Sequence, residues 1–171
     1  MTELLHKAVI YAARAHKGQD RKYTGLPYIT HCLEVLQILQ EGHPQATEEM
    51  LCAAVLHDVV EDTPFSLYDI NKQFEAEISM LVYHLTDHYT KESYAYLNRR
   101  ERKEQEAHRI SRAPREAQII KLADLISNSR SIIERDPGFA EIYLKEKKYL
   151  LNLLDANLPL WDQAYSYIDQ Q

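Results

Sequence analysis

The segment AAVLHDVVEDT, residues 53 to 63, places four ionisable side chains at the end of an apolar helical stretch. Positions three and four residues apart are neighbours on a helix, so His57 lies beside Glu61 and Asp58 beside Asp62. Imidazole and carboxylate are good ligands for a divalent first-row metal, and the other two carboxylates would repel each other without a cation or a proton. A solvated helix end is the alternative for any one of these residues. The apolar residues directly before His57 argue against it, because unpaired charge is costly in the interior.

Two ligands on one helix do not complete a metal site, and two other segments offer more. In GLPYITHCLEV, His31 opens an apolar helix. In IIKLADLISN, Asp124 interrupts an apolar helix and has Lys121 and Asn128 on the same face. Taken alone, His31 would be a core or surface histidine, and Asp124 would serve as a cap or pair with Lys121. Together with the HD pair at residues 57–58, they become candidate ligands of one site.

Other reactive groups in the sequence offer weaker candidate sites. The i,i+4 histidines of HLTDH, residues 84–88, could clip zinc, but no third or fourth ligand lies nearby in the sequence. Cys52 has apolar neighbours and is expected to be a core thiol. The chain has no nucleophile elbow, P-loop or dinucleotide glycine fingerprint, so a bound phosphate must be held by side chains and metal.

The bulk properties indicate one cytoplasmic domain that does not bind nucleic acid broadly. The chain has 171 residues, is 45% hydrophobic and carries a formal charge of −6, which disfavours binding to many phosphates of a nucleic acid. Its longest apolar runs are too short for a membrane span, and its amino terminus lacks the apolar core of a signal peptide. The two cysteines suit reduced thiols. One segment, Arg99 to Arg115, has seven Arg and Lys against three Glu and is locally basic.

The hydrophobic periodicity predicts an all-α fold, since no segment alternates with period two. Thr47 is a good N-cap, and Ser66 with Asp69 indicates a capping box. The predicted helices cover about residues 3–17, 27–40, 47–63, 66–86, 94–109, 114–134, 138–156 and 159–169.

The motifs RKYTGLPYITH, HDVVEDT and KLADLISN, in this order and at these separations, resemble the HD-superfamily hydrolase domain of RelA/SpoT-type alarmone enzymes. The chain is similar to a stand-alone small alarmone hydrolase, and the resemblance covers nearly all of residues 1–171. It implies an all-α HD-domain helical bundle with one Mn²⁺ per chain. It also implies hydrolysis of the 3′-pyrophosphate of guanosine tetra- and pentaphosphate, which are small hyperphosphorylated nucleotides.

The resemblance also assigns roles to individual residues. It implies metal ligation by His31, His57, Asp58 and Asp124, and water activation by Glu61 and Asp62. It implies contacts to the nucleotide from Arg21, Lys22, Arg99, Asn128 and Tyr143, with Arg21 stacking on a base or pairing with phosphate. For the basic segment that begins at Arg99, a solvated helical face with internal ion pairs is the alternative.

The sequence departs from the family pattern at Val59, and in KLADLISN at Leu125 and Ser127. These departures leave the metal ligands intact but leave the base preference open, so pppApp, ppApp or pApp stay possible substrates. Two other functions stay open: a general HD nucleotide phosphohydrolase that releases orthophosphate, and a non-catalytic alarmone-binding sensor. A sensor has little reason to keep both Glu61 and Asp62, which favours an enzyme. The sequence does not predict an oligomeric state.

Overall fold

The computed structural model describes residues 1–169, which form the predicted all-α bundle. The helices are α1 (Glu3–Ala15), α2 (Ile29–Gly42), α3 (Glu48–Leu56), α4 (Val59–Asp62), α5 (Leu67–Gln73), α6 (Ala76–Leu85), α7 (Arg99–Ser111), α8 (Arg115–Arg135), α9 (Pro137–Leu153) and α10 (Trp161–Ile168). Within residues 1–169 no strand forms, and the only bridge pairs Asp20 with Pro27. None of these helices combines the length and the apolar character that crossing a bilayer requires.

Side-chain caps explain where several helices begin. Thr47 caps α3, and Ser66 and Asp69 form the predicted capping box at α5. Asn98 and Glu101 form a second capping box, which satisfies backbone N–H groups at the start of α7. That helix therefore begins later than the hydrophobic pattern predicted.

Two predicted helices are interrupted in the structure. The helix expected over residues 47–63 ends at Leu56, and a turn at His57 and Asp58 (Asp58 φ −95°, ψ −4°) separates it from the single turn of α4. The helix expected over residues 66–86 breaks at Phe74, whose backbone is extended. The break buries the Phe74 ring, with its centroid 5.5 Å from that of Tyr11. Tertiary burial of one aromatic ring thus overrides local helical preference.

The central helix of the bundle is α8, which contacts α2, α3, α6, α9 and α10. Its apolar side chains are buried on all sides, as is typical of a helix enclosed by its neighbours. They include Ala117, Ile119, Ile120, Leu122, Ala123, Leu125 and Ile126. Asp124 lies in the middle of this run and is itself buried. The fold therefore carries a carboxylate into its own interior.

Small side chains let α3 approach its neighbours closely. Cys52, Ala53 and Ala54 are fully buried where α3 packs against α1, α2 and α8. Cys52 is the core thiol that the sequence predicts, and burial together with the carboxylates of Glu48 and Glu49 raises its pKa to about 12. This packing places the end of α3, where His57 follows, beside the middle of α8.

The close packing of α2 against the α9–α10 connection gives a stability prediction. A Cβ atom at Gly42 would overlap the side chain of Leu160, which is buried and has a backbone φ of 70°. Gly42→Ala should therefore destabilise the protein by about 1–3 kcal/mol through overpacking. Chemical denaturation measures this as a lower midpoint with an unchanged slope.

The matched control is Gly138→Ala at the start of α9, where a Cβ atom would meet nothing within 4 Å. Its stability should stay within about 0.5 kcal/mol of the wild type or rise slightly. Equal stability of the two variants would contradict the packing at Gly42.

Candidate active site

Three buried side chains from different parts of the chain converge between α2, α3 and α8. His31 lies in the first turn of α2, His57 directly follows α3, and Asp124 lies in the middle of α8. One ligand atom from each falls within 4.8 Å of the others. The Asp124 Oδ1 atom is 3.3 Å from His31 Nε2 and 3.7 Å from His57 Nε2. Donor atoms about 2.1 Å from one ion lie roughly 3–3.5 Å apart, so these separations suit a shared metal.

Asp58 lies beside both histidines but outside the group of three whose ligand atoms all fall within 4.8 Å of one another. Its Oδ2 atom is 2.9 Å from His57 Nε2 and 3.5 Å from His31 Nε2. The same oxygen accepts a hydrogen bond of 2.7 Å from the hydroxyl of Tyr28. Burial would raise the pKa of Asp58, but the two imidazoles outweigh burial and hold the pKa well below its usual range. The carboxylate is therefore ionised and oriented toward the histidines.

The hydrogen bonds of the imidazoles fit a metal site. The Nδ1 atom of His57 is 2.8 Å from the carbonyl oxygen of Ala54, which accepts only if Nδ1 carries the proton. That arrangement leaves Nε2 facing Asp58 Oδ2 at 2.9 Å, and this nitrogen is buried without a well-directed hydrogen bond within residues 1–169. Burial would lower the pKa of His57, but the Asp58 and Asp124 carboxylates outweigh burial and raise it, so a cation would take the place of a proton on Nε2. Metal-bound histidines are usually held by their second nitrogen in this way. An orphaned buried imidazole nitrogen beside two carboxylates is what a divalent cation would satisfy.

Asp124 is held by its neighbours on α8. The Nζ atom of Lys121 is 3.0 Å from Asp124 Oδ2, and the Asn128 amide donates to Oδ1 at 2.6 Å. Burial opposes the charge of Asp124, but Lys121 and the two imidazoles lower its pKa well below the usual value. Both neighbours that helical spacing predicted thus contact this carboxylate.

Glu61 and Asp62 lie on α4 at the exposed mouth of the cluster. Glu61 Oε2 accepts a hydrogen bond of 2.9 Å from the backbone N–H of Asp87. Partial burial and the Asp87 carboxylate raise the pKa of Glu61 to about 7. Partial burial and the Asp58 carboxylate raise the pKa of Asp62 as well. A carboxyl group with a pKa near neutrality is well suited to exchange a proton with a reacting group.

Two of the residues expected to contact substrate flank one aromatic ring. Lys22 Nζ is 6.0 Å, and Arg99 Cζ 5.2 Å, from the ring centroid of Phe139 at the start of α9. Arg99 also makes a two-pronged ion pair with Glu146, at 2.7 and 3.0 Å. Tyr143 is buried one turn further along α9, with its ring centroid 6.1 Å from that of Phe139. The structure thus gathers Lys22, Arg99 and Tyr143 around the Phe139 ring.

Arg21 points away from its neighbour Lys22. Its guanidinium is nearly buried and donates to Glu34 on α2 and to Ser127 and Ser131 on α8. The side chain of Lys22, by contrast, is 73% exposed. The two adjacent cations therefore occupy different environments.

The competing zinc site is not assembled. Asp87 turns toward Lys103, at 2.6 Å, while the rings of His84 and His88 pack against Tyr83. Within residues 1–169, the group of His31, His57 and Asp124 is the one His, Cys, Asp or Glu set close enough to hold a metal ion. In the basic segment that begins at Arg99, Arg100 forms an exposed i,i+4 ion pair with Glu104, as the alternative of a solvated helical face predicts for this residue.

Comparison with known proteins agrees with this geometry. The HD domain family model matches residues 8–151. The chain belongs to the HD-domain family. This HD domain is 36% identical, over 88% of its length and 84% of the relative, to guanosine-3′,5′-bis(diphosphate) 3′-pyrophosphohydrolase MESH1 of Drosophila melanogaster. It is 35% identical to the Homo sapiens protein of the same name, over 83% of this chain and 77% of that one.

A solved structure resembles the HD domain over almost its whole length. That structure is described as a metazoan ortholog of SpoT that hydrolyzes ppGpp and plays a role in starvation responses. It superposes with a TM-score of 0.85 at 28% identity, covering 98% of this chain and 94% of the other. The family resemblance predicted from the three motifs is thereby confirmed.

Four residues that contact predicted site residues had not been predicted from the sequence. Tyr28 and Glu34 lie three residues before and after His31, a helical spacing that places them near its face and could have indicated them. Phe139 and Lys147 carry no such local signal. Lys147 lies near Lys103 and Lys121, and burial with these two ammonium groups lowers its pKa to about 8.

The converging ligands predict which histidines hold the metal. His57→Ala should lose stoichiometric Mn²⁺ binding, because it removes the orphaned nitrogen at the centre of the cluster. His84→Ala is the matched control, and it should bind one ion per chain as the wild type does. Equilibrium dialysis against Mn²⁺ measures both. Stoichiometric Mn²⁺ retained with wild-type affinity by His31→Ala would remove His31 from the ligand set.

Proposed function

We propose that the chain hydrolyses the 3′-pyrophosphate of ppGpp and pppGpp and leaves GDP or GTP. One observation carries the proposal: the buried side chains of His31, His57 and Asp124 converge, with the partly buried Asp58 beside both histidines. The MESH1 relatives named as ppGpp 3′-pyrophosphohydrolases, and the ppGpp-hydrolysing SpoT ortholog with the same fold, support this substrate class. We further propose that residues 1–171 act as a single HD hydrolase domain, which the family match over residues 8–151 supports.

The proposed metal ligands are His31, His57, Asp58 and Asp124, around one Mn²⁺ per chain. Two imidazole nitrogens and two carboxylates form a mixed N,O donor set that a divalent first-row ion accepts. When bound, such an ion withdraws charge from phosphoryl oxygens and lowers the pKa of a bound water. The role of the protein is to hold the two carboxylates ionised through Tyr28, Lys121 and Asn128 and to orient the His57 imidazole through the Ala54 carbonyl.

We propose that Glu61 and Asp62 orient the attacking water and take its proton. Water adds to the phosphorus nearest the ribose 3′-oxygen, and the bond from that phosphorus to the 3′-oxygen breaks. Pyrophosphate leaves intact, the ribose regains a 3′-hydroxyl, and the 5′-phosphates are untouched. Glu61 has the raised pKa that suits a base working near neutral pH.

The cations around the site support a small, multiply phosphorylated substrate. We propose that Lys22 and Arg99, both near Phe139, contact the nucleotide together with Asn128 and Tyr143. Lys147 lies over the Tyr143 ring, and burial together with repulsion from Lys121 and Lys103 lowers its pKa to about 8. A bound phosphate group would relieve that repulsion. The formal charge of −6 disfavours a long nucleic acid as partner.

The base preference and the cellular location are finer parts of the proposal. Leu125 and Ser127 stand where the family usually has a basic residue and a His or Tyr, and Ser129 and Ser131 lie on the same helix as Asn128. Adenosine alarmones such as pppApp and ppApp therefore stay candidate substrates. A cytoplasmic location is proposed because both cysteines are free, buried thiols. A general phosphohydrolase and a catalytically silent sensor are the alternatives.

The carboxylate pair gives a test of roles. Glu61→Gln keeps the shape of the side chain and removes the base, so turnover should fall by about 10²-fold or more. Stoichiometric Mn²⁺ binding should be retained, since Glu61 is not a ligand. Glu77→Gln, an exposed carboxylate on α6, is the control and should change neither property. Wild-type turnover in Glu61→Gln would show that another group takes the proton.

The identity of the products tests the proposed function directly. Purified wild-type protein with Mn²⁺ should convert ppGpp to GDP and pyrophosphate in equal amounts, because the bond to the 3′-oxygen is the one that breaks. If pppApp or ppApp is accepted, ATP or ADP and pyrophosphate should form by the same cut. Chromatography with phosphorus product analysis separates these outcomes. Orthophosphate as the only phosphorus product would favour the general phosphohydrolase, and no turnover of any nucleotide would favour the sensor.

A further inference from the structure

A continuous chain of hydrogen bonds leads from the loop before α2 to one proposed metal ligand. The guanidinium of Arg21 pairs with Glu34 on α2. Ser127 on α8 donates its hydroxyl hydrogen to Glu34 Oε2 at 2.7 Å. The same hydroxyl lies 3.0 Å from His31 Nδ1. Four residues from three parts of the chain are thus linked through two oxygen atoms.

The direction of these bonds determines which nitrogen of His31 carries a proton. An ionised Glu34 carboxylate has no hydrogen to donate and can only accept hydrogen bonds. Burial would raise the pKa of Glu34, but the hydrogen bonds from Ser127 and Arg21 outweigh burial and lower it. Since the single hydroxyl hydrogen of Ser127 goes to Glu34, its oxygen must accept from His31 Nδ1–H. Nε2 is therefore the His31 nitrogen through which a cation would bind, and it faces Asp58 at 3.5 Å and Asp124 at 3.3 Å.

Arg21 is fixed by several hydrogen bonds at the end of this hydrogen-bond chain that lies away from His31. Its NH2 group donates to the Ser127 carbonyl at 3.3 Å, to the Ser127 hydroxyl at 3.2 Å and to the Ser131 hydroxyl at 3.0 Å. Only 10% of its side chain is exposed. Stacking on a base requires an accessible guanidinium face, and these contacts leave Arg21 little freedom to provide one.

We propose that Arg21, Glu34 and Ser127 are positioning residues that hold His31 in its metal-binding tautomer and orientation, and so set the affinity of the site for a divalent cation. This role rests on the proposed function, because it concerns the cation of the same site. It also gives Arg21 a different role from that of Lys22 beside it. Without Ser127 and Glu34, the His31 ring could rotate or carry its proton on Nε2, where that proton would compete with the metal.

The test is the Mn²⁺ affinity of the metal-free protein, measured by isothermal titration calorimetry and by the electron paramagnetic resonance signal of free Mn²⁺. Ser127→Ala should bind Mn²⁺ about 10- to 100-fold more weakly, as for other outer-shell partners of metal-bound histidines. Ser129→Ala is the matched control, because Ser129 is equally buried two residues along α8 and its hydroxyl has no partner in the described part of the chain. It should keep wild-type affinity. Equal affinity of Ser127→Ala and the wild type would overturn the proposal.

Glu34→Ala provides a second test that does not disturb the core, since the Glu34 side chain is 39% exposed. It should also weaken Mn²⁺ binding, and it decides the question if Ser127→Ala fails to fold, as judged by circular dichroism without metal. Wild-type affinity in Glu34→Ala would show that this carboxylate does not orient Ser127.

Arg21→Ala separates positioning from substrate contact. A positioning role predicts weaker Mn²⁺ binding in the absence of nucleotide. Unchanged Mn²⁺ affinity with a raised KM would instead show that Arg21 contacts the substrate, and it would overturn the positioning role of Arg21. None of these metal titrations uses a nucleotide. If the wild type hydrolysed no alarmone, the proposed function would fail, but Mn²⁺ affinity alone would still test the positioning role of Arg21, Glu34 and Ser127.

Discussion

The organisation of this protein depends on one constraint, the burial of the Asp124 carboxylate in the middle of an otherwise apolar helix. An isolated buried charge costs several kcal/mol, so the surrounding structure must supply compensating groups. Lys121 and Asn128 do so from the same helix, and His31 and His57 do so from α2 and the end of α3. The positions of α2 and α3 relative to α8 are therefore tied to the same requirement that creates the metal site.

The packing around that cluster holds the groups that compensate the Asp124 charge in place. Fully buried small residues on α3 let its end approach α8, and the break at Asp58 directs a second carboxylate to the histidines. Each imidazole is then held by its other nitrogen, His57 by a backbone carbonyl and His31 by a serine hydroxyl. A site of this kind is ordered before any ligand arrives, which limits the reorganisation that binding and catalysis require.

The mouth of the site has a different electrostatic character from its interior. Glu61 and Asp62 face the opening with raised pKa values, whereas the buried carboxylates of Asp58 and Asp124 have lowered ones. Carboxyl groups with pKa values displaced in opposite directions can divide the work of holding a cation and exchanging a proton. Cations gather near Phe139 and near Lys147 on α9, so an acidic chain still presents local positive charge to a multiply phosphorylated ligand.

Helical periodicity in the sequence was enough to predict the all-α fold, the capping of α3 and α5, and the pairing of Lys121 and Asn128 with Asp124. These features depend on residues within one turn of each other, whose relative positions the geometry of a single helix determines. The motif spacing also indicated His31, His57, Asp58 and Asp124 as candidate partners. The break at Asp58, the separate environments of Arg21 and Lys22, and the contacts of Ser127 with Glu34 and His31 were decided only by the tertiary structure. Those contacts join residues about a hundred positions apart, and they depend on how α2 and α8 are rotated against each other, which no local pattern encodes.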